Sequence, residues 1–379
     1  PKAKKQKSGS GLGLGLGLSS GCVEKVPPPH ACTCGWHLLY GPERMLQLND
    51  QCRMRALLSA IHEVRKRLVL SQNATEVNGD VRIVLDVSDG STLPLMFGES
   101  IAGLRVVSLE KKHFSRMLHG QLLDVNSRAD AMAWDGNEFD EIVDYFEDDA
   151  EDDAEAKGGK TVSSKKNVKI VSLLCECFFY QLPTLPLWAA IKFMYMRSSE
   201  AVHSRLEEGA PVMPCRARIM AAVVELADLH VSHGAVGSVC GFDHSVLDTV
   251  QTGWEGYNFP YSLGGYSHKL LTEPAQVLTL NYEAGFFPDA PPLHRESKLI
   301  ARESGVCHAV ALWVDYDLTE NVSMNIRHDE TGSFPLHAKT MLRFFASPRE
   351  IKAGVSCLAC SVTLVHGNSD FNFSFDTIS

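Results

Sequence analysis

The 379-residue chain has no apolar run approaching the roughly 18 residues that a spanning helix needs, which leaves no candidate membrane helix. Its start lacks the charged-then-apolar pattern of a secretory signal. The eleven cysteines have no regular spacing, so a disulfide framework is not indicated, and reduced thiols with one metal cluster are expected in a soluble intracellular protein. The Asn-x-Ser/Thr matches at Asn73, Asn321 and Asn372 are then chance. An excess of positive charge is also missing. The formal net charge is -10, and Glu138 to Glu155 holds eleven acids and no base, so the remainder carries only +1 by subtraction (-10 plus 11). That gives no electrostatic footprint for nucleic acid. No initiating methionine precedes Pro1, and the chain reads as a piece of something longer.

What is present is 45% apolar residues, enough for one large or two medium cores. Residues 1–29 combine a Lys-rich start, a Gly-Leu alternation and Pro27-Pro28-Pro29, the composition of a linker. From Leu46 to Leu70 apolar residues recur at helical spacing, and Val81 to Val87 reads as a strand ending in Ser88-Asp89-Gly90-Ser91. Leu104 to Leu109 reads as a second strand, closed by Glu110. Helix, strand, turn, helix, strand and acid open a doubly wound α/β domain, predicted over residues 40–214. An acidic loop insert (147–167) interrupts it, a solvated segment that could also attract basic substrates by long-range steering. The α/β pattern resumes with a strand over Val168 to Leu174 and helices over Leu187 to Arg197 and Val202 to Glu207. Ile219 to His230 reads as a strand. Short strands separated by Gly, Pro and Asn clusters then dominate, at Val277 to Tyr282, Ala309 to Tyr316, Met341 to Phe345 and Leu358 to His366. Residues 215–379 are thus expected to form a β-sandwich or barrel. Trp313 falls in an alternating strand pattern and reads as core.

Cys32, Cys34 and His37, with Cys22 and His30 nearby, place soft and borderline ligands within a short stretch, the donor set of tetrahedral zinc. Ordinary buried thiols are the alternative. Several short stretches in fixed order resemble the type III protein arginine methyltransferases, in particular the second of their two modules. They include Cys32-Thr33-Cys34-Gly35-Trp36-His37, Asn49-Asp50, Val87-Ser88-Asp89-Gly90-Ser91, Glu176-Cys177-Phe178-Phe179, Val212-Met213-Pro214, Gly241-Phe242-Asp243 and Ala311-Leu312-Trp313-Val314-Asp315-Tyr316. The resemblance implies a Rossmann-like class I methyltransferase domain followed by a β-barrel-type domain. It also implies methyl transfer from S-adenosylmethionine to the guanidinium of protein arginines, in histones for example, with a monomethyl product and a cytoplasmic and nuclear location. Cys32, Cys34 and His37 (within residues 30–39) match the family's zinc motif at the junction between modules, with a fourth ligand from the first module or from His30 or Cys22.

In such a fold the cofactor lies at the end of the first strand, where glycines admit it and the acid ending the second strand takes its ribose hydroxyls. The matching residues are Asp86, Ser88, Gly90 and Glu110, with Ser88 and Ser91 standing where small glycines would let a ligand approach. A guanidinium is held and polarised by two carboxylates on one loop, and only Glu176 stands in that loop. In the run Pro335-Leu336-His337-Ala338 the family's histidine survives as His337, while its tryptophan is replaced by Ala338. Glu176 is then expected to be a solvated or capped strand-end acid. These losses point to a scaffold module that packs as a pseudo-dimer against an N-terminal catalytic module of the same enzyme. An independently active methyltransferase, in which Ser88 to Ser91 and Glu110 still bind S-adenosylmethionine and Glu176 alone holds arginine, and a zinc-dependent adaptor without methylation are the competing readings.

Overall fold

The computed structural model describes residues 42–72, 80–88, 90–97, 101, 103–110, 113–126, 131–135, 167–176, 186–250, 259–285, 292–326, 334–335, 338–364 and 371–378. The helical stretch expected as one unit is two helices, α1 (Pro42–Asn49) and α2 (Gln51–Gln72). Asp50 makes the break. Its Oδ1 accepts the backbone N–H groups of Cys52 (3.0 Å) and Arg53 (3.1 Å), an N-cap that starts a new helix. Buried positions then recur along α2 at Arg53, Leu57, Ala60, Ile61, Val64 and Leu68, one face of a 3.6-residue period.

Five parallel strands follow: β1 (Val81–Asp86), β2 (Leu104–Glu110), β3 (Ala131–Asp135), β4 (Val168–Leu174) and β5 (Val212–Met213), in the order β3-β2-β1-β4-β5. Between them lie α3 (Leu93–Met96), α4 (His113–Val125), α5 (Pro186–Ser198) and α6 (Glu200–His203). The near-continuous burial of β1, β2 and β4 is what a parallel sheet covered on both faces requires. The chain builds outward from β1 to β3 and then returns to place β4 on the other side of β1. In such sheets the crevice at the carboxyl ends of these two strands is where ligands sit. The helix expected over Val202 to Glu207 ends at His203, because the next residues pair with β4 instead: Ile170 donates to the Arg205 carbonyl (2.8 Å) and Glu207 donates back to the Ile170 carbonyl (2.9 Å).

From Arg216 onward the sheets are antiparallel. One holds β6 (Arg216–Glu225), β9 (Phe259–Tyr261), β10 (Lys269–Leu270), β11 (Ala275–Asn281), β13 (Gly305–Asp317), β14 (Ser323–Met324) and β15 (Thr340–Ile351). A second joins β12 (Leu293–Ile300), β16 (Cys357–Leu364) and β17 (Phe371–Ile378), and a small hairpin pairs β7 (Ser238–Val239) with β8 (Phe242–Asp243). Among the described residues the seven-stranded sheet runs as an open path from β10 to β9, with no closed barrel among them. The strand expected over Ile219 to His230 stops at Glu225 and gives way to α7 (Ala227–Ser232), since Leu226 and Leu229 are spaced to bury on one side of a helix. A last short helix, α8 (Ser245–Val250), follows the hairpin.

The period of two divides the core. On β13, Val310, Leu312, Val314 and Tyr316 pack into a cluster continuous with the α/β sheet, whereas Ala309, Ala311 and Trp313 face a second cluster with Leu226, Leu263, Phe334 and Phe344. Trp313 is buried there, edge-on to Phe334 at 5.1 Å. Tyr282 links the two halves: its hydroxyl donates to the Ala190 carbonyl on α5 (3.1 Å) and its ring meets Phe193 edge-on at 4.8 Å.

Candidate functional site

At the carboxyl ends of β1 and β4 three distant stretches converge on one carboxylate, that of Glu176. The expectation of a solvated or capped acid is corrected here, for Glu176 is 0% exposed. Arg44 on α1 grips it as a fork, Nη1 to Oε1 at 2.7 Å and Nη2 to Oε2 at 3.0 Å. Arg53 at the start of α2 adds a bond from Nη2 to Oε1 at 2.7 Å, and the backbone N–H of Thr92 approaches Oε2 at 3.3 Å. An ionised carboxylate offers about four lone-pair sites, and these four donors take them all. Burial alone would keep the acid neutral. The Arg44 and Arg53 guanidiniums override that and hold its pKa down to about 2, while burial draws Arg53 down to about 10.

The neighbouring turn is tied to the same cluster. Arg44 Nη2 also reaches the Gly90 carbonyl at 3.3 Å, and the Glu176 backbone N–H donates to the Ser88 hydroxyl oxygen at 2.9 Å. The Ser88 hydroxyl in turn donates to Asp86 Oδ1, as does the Ser88 backbone N–H at 3.0 Å. Glu110 is buried as well. Its Oε2 accepts the N–H of Gly90 (2.8 Å), while its Oε1 accepts the Ser108 hydroxyl (3.0 Å) and lies 3.0 Å from His119 Nδ1. Gly90 holds φ at 71°, a left-handed conformation that suits glycine and aims its N–H at Glu110.

Asp86, Ser88, Gly90, Glu110 and Glu176 are therefore brought together, as one internally bonded unit. His337 lies outside the described residues, as do Cys22, His30, Cys32, Cys34, His37 and the acidic insert. Among the described residues no group of three His, Cys, Asp or Glu is placed to hold a metal. Arg44, Arg53, Ser108 and His119 were not singled out by the sequence. For Arg53 a signal existed, since it opens the buried stripe of α2. Arg44 and His119 offered none.

No family model matches the chain. It is similar to proteins named protein arginine N-methyltransferase 7, with 26% identity to those of Danio rerio (358 residues) and Xenopus laevis (363 residues), each covering 91% of this chain. The relative from Drosophila simulans is 26% identical over 364 residues, again 91% of this chain. The chain spans about half the length of these relatives, 47%, 47% and 44%. A solved Trypanosoma brucei PRMT1 enzyme-prozyme heterotetrameric complex with AdoHcy matches at TM-score 0.53, covering 87% of this chain and 97% of that one. At 13% identity that likeness shows the fold: a Rossmann-like methyltransferase sheet followed by a β-rich region. The motif resemblance and the relatives thus agree on the protein arginine methyltransferases.

The residues at this turn do not fit S-adenosylmethionine in the arrangement described. The acid that would take ribose hydroxyls is 1% exposed and already accepts hydrogen bonds from Gly90 and Ser108, and Ser88 and Ser91 are buried where a ligand would approach.

Burial pushes the Asp86 pKa up to about 7 from an ordinary 3.8, against the opposing hydrogen bonds of Ser88 and Ser91. The folded state therefore keeps a proton that the unfolded chain releases. Its contribution to stability is complete below the unfolded value and is lost as pH rises to about 7. Glu176 runs the other way, its contribution being present above 4.5 and lost as pH falls toward about 2. In urea unfolding, Asp86→Asn is expected to flatten the decline in stability between about pH 4 and pH 7. An unchanged slope would show that Asp86 ionises freely.

Proposed function

We propose that this chain is the non-catalytic second module of a protein arginine methyltransferase, and that it serves as a scaffold for a first module which transfers the methyl group. The carrying observation is the saturation of Glu176 by Arg44, Arg53 and the Thr92 N–H. A substrate guanidinium needs the same lone pairs, so it would have to displace two buried arginines whose removal strands a charge. The engagement of Glu110 by the Gly90 N–H and the Ser108 hydroxyl supports the same reading for the cofactor side. In the joined enzyme, methyl transfer from S-adenosylmethionine to arginines of basic proteins such as histones, with a monomethyl product, is assigned to the first module.

In this reading the second module contributes a shaped surface and a fixed mutual orientation. Two thiolates and an imidazole between Cys32 and His37 have the softness and spacing for tetrahedral zinc, and a metal clip there would set how the modules face each other.

Two outcomes follow. Calorimetry with millimolar S-adenosylmethionine should detect weak binding or none to this chain, and labelled methyl should appear on a histone peptide only when a first module is joined or added. Low-micromolar affinity, or robust transfer by the chain alone, would favour the independently active enzyme. Metal analysis should give about one zinc per chain, lost in the double variant Cys32→Ser/Cys34→Ser. Full metal content in that variant would remove the junction clip.

A further inference from the structure

Three histidines fasten the short helix α7 to the β-rich half, and one of them has to be neutral to do so. Leu226, where β6 gives way to the helix, is 1% exposed, and its N–H donates to His308 Nδ1 on β13 at 3.2 Å. The Leu226 carbonyl accepts the His230 N–H at 2.9 Å and so starts the helix. A ring nitrogen that accepts an N–H carries no proton, which makes His308 a neutral imidazole with Nδ1 as its acceptor. His230, one turn on, sets Nε2 3.1 Å from the Phe345 carbonyl, where the imidazole is the donor. His233 at the helix end donates from Nδ1 to the Leu229 carbonyl at 2.8 Å, and its Nε2 meets the Tyr261 hydroxyl. The contacts of His230 and His233 survive protonation, because a carbonyl needs only an N–H and a hydroxyl can turn from donor to acceptor. The bond from Leu226 to His308 does not survive it.

We infer that His308 is a proton-operated clasp: its neutral ring holds α7 on the sheet, and uptake of a proton releases α7 together with the segment that follows it. The charged ring turns an N–H toward the Leu226 N–H, so a buried donor loses its acceptor and faces another donor. It also stands beside His230, ring centroid to ring centroid at 5.2 Å. Burial and then the facing His230 push the His308 pKa below its ordinary 6.5, against the Val306 backbone and Glu225. Glu225, at the end of β6, accepts the Val306 N–H with Oε2 at 2.8 Å, and Lys269, opposite Glu225 on β10, pairs with Glu303 at 3.3 Å. On β15 Arg349 stands opposite Cys307, whose thiol burial pushes up to about 12 and keeps neutral, and Asp228 in the first turn of α7 is exposed. The hold of His308 on α7 is therefore present above 6.5 and lost as pH falls. The released segment is a surface element: residues 231–249 bury no side chain, and Val239, Phe242, Val246 and Leu247 are exposed on it.

Amide hydrogen exchange of the full chain, read by NMR at about pH 7.5 and about pH 5.5, tests the clasp. After correction for the intrinsic pH dependence of exchange, the Leu226 and His230 amides should open about tenfold more often at the lower pH, because opening takes up one proton over the unit below 6.5. The Val310 and Leu312 amides, on the strand paired with both β6 and β15, should keep their protection. In His308→Gln a side-chain oxygen can replace Nδ1 as acceptor without titrating, so the pH difference should vanish, whereas His233→Gln should retain it. Equal opening at the two pH values, an equal loss of protection at Val310 and Leu312, or an undiminished pH difference in His308→Gln overturns the clasp. Should His308→Gln not fold, the imidazole nitrogen-15 spectrum of the unaltered chain decides: His308 Nδ1 has to be the unprotonated nitrogen at about pH 7.5, and a protonated Nδ1 there ends the inference.

Discussion

A single buried carboxylate governs the end of this α/β sheet. Glu176 follows β4, and the groups it binds come from α1, from the first turn of α2 and from the turn after β1. Taking a carboxylate and two guanidiniums out of water costs several kcal/mol per ion, which only good geometry and complete hydrogen bonding can offset. That condition is met by four donors on the two oxygens. Such an arrangement tolerates no partial version, because removing one partner leaves a buried charge exposed to the low local dielectric. The position of α1 is thereby fixed by electrostatics as much as by packing, since much of its apolar surface, at Met45 and Leu46, faces water.

The same logic extends to the neighbouring acids. Doubly wound sheets leave their strand ends open for ligands at the point where the strand order reverses. Here Asp86, Glu110 and Glu176 all turn onto donors of the protein itself. The Ser88 hydroxyl accepts from the Glu176 backbone and donates to Asp86, so it joins β1 to β4 where a smaller residue would leave space. The strand-end acids of this Rossmann-like fold and the turn between them form one internally bonded unit.

Much of the fold was legible because parallel strands covered on both faces must be continuous apolar runs, as Val81 to Asp86, Leu104 to Glu110 and Val168 to Leu174 are. Boundaries failed where a local interaction overrode periodicity. Asp50 capped a new helix inside what read as one, residues 205–207 paired with Ile170 rather than extending a helix, and Leu226 and Leu229 buried as a helix face after a strand. At the site, the strand-end acids were found by their positions relative to β1, β2 and β4, but their environments were not. Whether a carboxylate meets water or arginine depends on which distant segment folds over it, and 132 residues separate Arg44 from Glu176. Only the phase of Arg53 within the α2 stripe gave a trace of that pairing.

The closed state of this carboxylate can be observed at neutral pH by nitrogen-15 NMR of the arginine guanidiniums. A fork held on both oxygens of Glu176 cannot rotate freely, so Arg44 should give separate, slowly exchanging Nη resonances that collapse in Glu176→Gln. A single averaged Nη signal for Arg44, like that of a solvent-exposed arginine, would contradict a site sealed by the chain's own side chains.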